Sequence, residues 1–201
     1  MSRVVLCCLL FVALARPAAA EWHIVPMFGL TTLGSTSIID AEEATGKRHW
    51  NLGGAVSLLG PGLLGAEVVT FWTPGFFERD ETGGAPDFVK NSRTVSLMGN
   101  VVLTAPQTWT EYGLRPFVSG GIGLMHISKT DLPENIFPPV DLNLLGYNVG
   151  GGAIGFFTQR TGIRFDVRYH SVLNPSDHGI IAFGDVRMRY VTATVGIVFR
   201  R

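Results

Sequence analysis

Between Gly162 and Val172, Ile163, Phe165, Val167 and Tyr169 alternate with Arg164, Asp166, Arg168 and His170. Successive side chains on a strand point to opposite faces, so this stretch predicts a β-strand with one greasy and one ionic face. The same period runs through Trp50, Leu52, Gly54, Val56 and Leu58, set against Asn51, Gly53, Ala55 and Ser57. In the last stretch Val191, Ala193, Val195, Ile197 and Phe199 share a face, but Arg187 and Arg189 have the same parity. Two readings stay open there. Either a bulge near Val191 switches the faces, or the arginines sit at an outer rim where charge is cheap.

Turn signals divide the chain into eight such stretches: Trp22–Leu33, His49–Leu59, Leu63–Thr73, Arg93–Thr104, Gly113–Ile127, Gly146–Phe157, Gly162–Val172 and Val186–Phe199. Strands of ten or more residues are long for a soluble sheet and suit tilted strands that cross a bilayer. Connections alternate in length. Gly34–Arg48, Pro74–Ser92, Ser128–Leu145 and Leu173–Asp185 are long, whereas Gly60–Gly62, Ala105–Tyr112 and Thr158–Thr161 are short. Short turns at one end and long loops at the other are the rhythm of an outer-membrane barrel. The fold expected is therefore all-β: an eight-stranded antiparallel up-and-down transmembrane β-barrel, with both termini on the periplasmic side.

Composition sharpens this picture. Only 16% of residues are charged while 46% are hydrophobic, and there are 25 glycines and 13 phenylalanines. A soluble domain usually carries more charge. Yet no segment makes a clean spanning helix, because Gly60-Pro61-Gly62 and Glu67 interrupt the most apolar stretch, Leu52–Val69. Residues 1–20 read as a cleaved signal peptide, with Arg3, the apolar run Val4–Ala15, Pro17 and the small residues Ala18-Ala19-Ala20. Residues 21–201 are then the barrel domain. Both cysteines, Cys7 and Cys8, fall in the leader, which removes disulfides and thiolate metal sites from the mature chain. Without Arg3 and Arg16, 14 basic residues face 16 acidic ones, a net charge of −2 that offers nucleic acid no electrostatic footprint.

Glycine is dense in Gly120-Gly121-Ile122-Gly123 and Gly150-Gly151-Gly152. A phosphate loop would need a helix to follow. Strand-like alternation continues instead, so these glycines predict room for large inward side chains and a curved wall. At this point the chain resembles the small outer-membrane β-barrel proteins, the OmpA- and OmpX-like group. The resemblance is carried by Arg115–Leu124, Gly146–Gly152, Gly162–Tyr169 and the stretch Thr73–Glu78, which is similar to the outer end of a hairpin in such proteins. It implies an integral protein of a Gram-negative type outer membrane, with its lipids and lipopolysaccharide as surroundings and the outer-membrane assembly machinery as a partner. Gly196 and Phe199 resemble the family's C-terminal assembly signal, although Arg200-Arg201 follow where an aromatic residue normally ends the chain.

The chemistry expected inside is structural. Eight strands enclose a bore that side chains fill, so Glu67, Arg164, Asp166, Arg168 and His170 are expected to form a packed polar lumen and to disfavour a porin function. Trp22, Trp50, Trp72 and Trp109 fall near strand ends, where aromatic girdles meet the membrane interface. Two alternatives have different chemistry. His126 and Ser128 share an outward face, a partial likeness to lipid A deacylases; Lys129 follows the pair, and Glu134 is the loop acid considered as its partner. A soluble lipocalin-like periplasmic carrier would turn its apolar face inward. His170, Asp177 and His178 match no compact metal site, and nothing calls for a cofactor. The leading expectation is a non-enzymatic scaffold whose four external loops, Ile136-Phe137-Pro138-Pro139-Val140 among them, meet an unknown partner.

Overall fold

The computed structural model describes residues 20–36, 48–77, 89–106, 110, 114–131, 140–173 and 187–201. Residues 1–19 of the predicted leader (1–20), Trp109, Glu134, Asp177 and His178 lie outside the described residues. Eight strands follow one another: β1 Glu21–Thr36, β2 His49–Leu59, β3 Leu64–Pro74, β4 Val89–Thr104, β5 Leu114–Asp131, β6 Val140–Phe156, β7 Thr161–Val172 and β8 Met188–Arg200. Each pairs antiparallel with its neighbour, and β8 returns to β1, closing the barrel. Three connections, two of them of four residues, and the two chain ends lie at one end of the barrel, here the turn end; the four other connections lie at the loop end.

Closure turns the ordinary protein plan inside out. On β7, Phe165 and Val167 are 56% and 55% exposed, while Arg164 and Arg168 are 1% and 0% exposed. The same division runs around the wall: Trp50, Leu52, Val56 and Leu58 face out on β2, whereas Asn51, Ala55, Ser57 and Leu59 face in. A soluble carrier would have the opposite arrangement, so the lipocalin-like alternative is set aside.

Two bulges tune the loop end. In β1 the pairing with β8 shifts between Thr32 and Ser35, opposite Tyr190, and Leu33 adopts a positive φ of 53°. The irregularity therefore lies in β1 and leaves the parity of β8 intact. Arg187 and Arg189 are exposed at the rim, which decides between the two readings. A second shift lies between Lys90 and Arg93 of β4.

β4, β5 and β6 reach farther toward the loop end than the apolar alternation predicts. Their outer ends start or stop at Val89, Asp131 and Val140, against the predicted Arg93, Ile127 and Gly146. The reason is a reversal of polarity. Above the apolar belt Met125, Ile127, Leu142 and Leu144 pack inward, while His126, Ser128, Asp141 and Asn143 face out. Backbone pairing continues past the belt, but lipid no longer dictates the outer face. Asp141-Leu142-Asn143-Leu144 keeps the two-residue period, and that was the available signal.

Glycines on the inner wall leave space for their neighbours. A Cβ on Gly150 would lie 2.5 Å from Arg168 Cγ and 2.5 Å from the Val167 carbonyl oxygen, whereas one on the outward Gly120 would meet nothing nearer than 3.6 Å. Gly150→Val should therefore destabilise the folded barrel by about 1–3 kcal/mol through overpacking. Gly120→Ala should be close to neutral. Midpoints of heat-induced gel shift in detergent compare the two directly.

Candidate functional site

The β7 pattern places Arg164, Asp166 and Arg168 in one inward row, each separated from the next by one outward residue. Asp166 lies between two guanidiniums and accepts from both: its Oδ2 takes hydrogen bonds from Arg164 Nη2 at 2.6 Å and Arg168 Nη2 at 2.8 Å, and its Oδ1 takes one from Arg168 Nε at 2.7 Å. Glu67 reaches in from β3, four strands away. Its two carboxylate oxygens accept from Arg164 Nη1 and Arg168 Nη2, so the four charges form a strut across the bore. Ser57 Oγ donates to the same carboxylate at 2.8 Å, and Asn148 Nδ2 donates to Asn100 Oδ1 at 2.9 Å alongside. Two cations and two anions cancel. Buried ions persist only when paired and hydrogen-bonded, and this set meets that condition with bidentate geometry.

His170 is in the lumen but does not join the ion pairs. Its ring stacks on Tyr190 with centroids 4.8 Å apart, and stands edge-on to Phe71 at 5.7 Å. It belongs to an aromatic plug that the sequence did not reveal. After Pro74, Gly75 at φ 65° turns the chain, so that Phe76 and Phe77 tuck into the mouth and are fully buried. Ser92 holds this turn: its carbonyl accepts from Gly75 N at 2.8 Å and its Oγ from Phe77 N at 3.1 Å. This segment lies at the outer end of the β3–β4 pair, and burial of two phenyl rings against Tyr190 and the mouth folds it inward.

The turn end is closed by other means. Leu59, Val102, Ile154 and Val198 form an apolar floor. Arg115, which stands two residues below Phe117 on the inner face of β5, donates to the Ala105 carbonyl at 3.2 Å and the Gly60 carbonyl at 3.1 Å, tying two turns together. Phe117 receives the Arg164 guanidinium over its ring at 4.3 Å.

The outward candidates are placed as follows. His126 Nδ1 lies 3.0 Å from Asn143 Oδ1 and 3.5 Å from Asp141 Oδ1, across the β5–β6 pairing. Asp141, the register partner of Ser128, is a described acid beside this pair, and Glu134 lies outside the described residues. No hydrogen bond joins His126 to Ser128. Trp50 and Trp72 are exposed toward the loop end and meet edge to face at 5.5 Å; Trp22 is exposed at the turn end. Gly196 faces inward against Met27, and Phe199 faces out.

Comparison with solved structures decides what kind of wall this is. Neisserial surface protein A aligns with a TM-score of 0.62 at 11% identity, over 89% of this chain and 96% of that one. The fold is that of the eight-stranded outer-membrane barrels. OprG of Pseudomonas aeruginosa aligns at 0.58 and 12% identity, over 90% of this chain and 96% of that one. A major outer membrane protein of Thermus thermophilus aligns at 0.54 and 14%, over 90% and 99%. No family model matches the sequence, and no curated protein matches it. At these identities the architecture alone is shared.

Removing one member of the strut leaves a buried charge unpaired, which costs about 3–5 kcal/mol. Glu67→Gln should lower stability by that order, while Ser57→Ala should cost about 1 kcal/mol. Urea unfolding of the refolded barrel in detergent measures both.

Proposed function

We propose that this protein is a non-enzymatic integral barrel of the outer membrane, sealed along its axis, that holds its four loop-end connections on a rigid wall. One observation carries the reading: the bore is filled in three tiers, with Phe76, Phe77 and Tyr190 above, the Glu67–Arg164–Asp166–Arg168 strut in the middle and the apolar floor below. A sealed wall fits no porin. The exposed belt, with Trp22 at one edge and Trp50 and Trp72 at the other, supports a bilayer as its surroundings. In this reading residues 1–20 are an export signal, Gly196 and Phe199 contribute to recognition by the assembly machinery, and the loop end faces outside.

A second reading has one observation in its favour. Asp141 beside His126, with Ser128 opposite in register, brings acid, base and hydroxyl together on the outer face, where an acyl-lipid hydrolase would work. The scaffold reading is preferred because the base makes no bond to the hydroxyl. Acyl release from lipopolysaccharide that is lost in Ser128→Ala would establish the hydrolase; an inert wild type would remove it.

For the scaffold, purified protein in planar bilayers should give no stable large conductance. The Phe76→Ala/Phe77→Ala double variant should remain closed, because the strut below still spans the bore. Long-lived conductance steps from the wild type would overturn the sealed-barrel reading.

A further inference from the structure

Arg189 stands on the outer face of the wall at its loop-end rim. It is exposed on the outer face of β8, and among the described residues it forms no ion pair. Its register partners are Ser171 on β7 and Ser35 on β1. Partners in an antiparallel pair share a face, so one guanidinium lies between two outward hydroxyls. The next outward row toward the turn end is Tyr169 and Val191. A hydrogen-bonding row thus sits directly above an apolar strip.

Ser35 is there because of the β1 bulge. Were the same residues paired without a bulge, the inward parity of Thr31 would carry through Leu33 to Ser35 and hide the hydroxyl. With it, Thr36 is buried, Ser35 joins Arg189, and Leu33 is thrust outward to 69% exposure. Leu33 holds a positive φ that residues with a Cβ rarely adopt. Backbone strain of this kind, kept in a closed wall, marks a place where the arrangement serves a purpose. Among the described residues no carboxylate faces out on β1, β7 or β8 at this end. Arg93 offers a contrast: its register partner Ser128 is itself paired with Asp141, a carboxylate that repels anions.

We infer that Arg189, Ser35 and Ser171 form a binding site for the phosphate-bearing headgroup of a lipid in the leaflet at the loop end, with Leu33, Tyr169 and Val191 against its acyl chain. A guanidinium and hydroxyls match phosphate oxygens in charge and donor geometry. Their outward direction, away from the lumen, selects a lipid over a soluble ligand. The site rests on the membrane-barrel reading above.

The test uses wild type, Arg189→Gln, the pair Ser35→Ala/Ser171→Ala, and Arg160→Gln at the turn end. Each is refolded in neutral detergent and titrated with phosphatidic acid or with phosphatidylcholine of the same chains, and bound lipid is counted by native mass spectrometry. Wild type should prefer phosphatidic acid. Arg189→Gln should weaken that binding about tenfold and the serine pair about threefold, in line with losing a charge-assisted and a neutral hydrogen bond. Arg160→Gln should bind as wild type does. Unchanged binding by a correctly inserted Arg189→Gln barrel would overturn the site alone. Competition by inorganic phosphate at the same concentration would overturn the lipid assignment. Failure of the wild type to insert into phosphatidylcholine vesicles would overturn the membrane reading and the site with it.

Discussion

In hydrocarbon a backbone amide has no water to turn to, so every strand in the wall needs a partner on both sides. The whole structure depends on the eighth strand finding the first. That seam runs from Thr36 and Met188 down to His23 and Arg200, and it continues one step further. Arg201 and Trp22 exchange two backbone hydrogen bonds, at 2.9 and 3.1 Å. Arg200 extends its side chain to the Gln159 carbonyl at 2.7 Å and to Glu21 at 3.3 Å, linking the seam to the β6–β7 turn. The two arginines that depart from an aromatic-ended chain are therefore the last rungs of closure.

Once the wall is closed, its bore has to be filled, and the three tiers fill it by different physics. Rings pack at the mouth, ions pair in the middle and aliphatic side chains meet at the floor. Inner glycines make the middle tier possible: beside Arg168 and Asn100 the neighbouring strands carry Gly150 and Gly121, where a Cβ would collide. Large polar groups and absent side chains are two halves of one packing solution.

Much of this was legible in the residues. β7 announced itself because Arg164, Asp166 and Arg168 cannot face lipid, and β2 was bounded correctly by the alternation from His49 to Leu59. Strand ends were missed where lipid stops acting. Above the belt the outer positions of β5 and β6 become polar, so a search for outward apolar stripes ended too early. The aromatic plug was hidden for another reason. Thr73-Pro74-Gly75 is the local chemistry of a turn, and nothing local says whether a turn projects or folds inward; that is settled by Ser92 and Tyr190, which are distant in sequence. Likewise Asp141 could be matched to His126 only through strand register. The β1 bulge has no sequence signature here, since Leu33 stands where glycine would be the usual choice.

The strut has an electrical consequence. A unit charge moved across a membrane potential of 100 mV changes energy by about 2.3 kcal/mol. Glu67, Arg164, Asp166 and Arg168 sit side by side with no net charge, so a field along the barrel axis finds nothing in the strut to push. The strut that spans the bore is thereby indifferent to voltage.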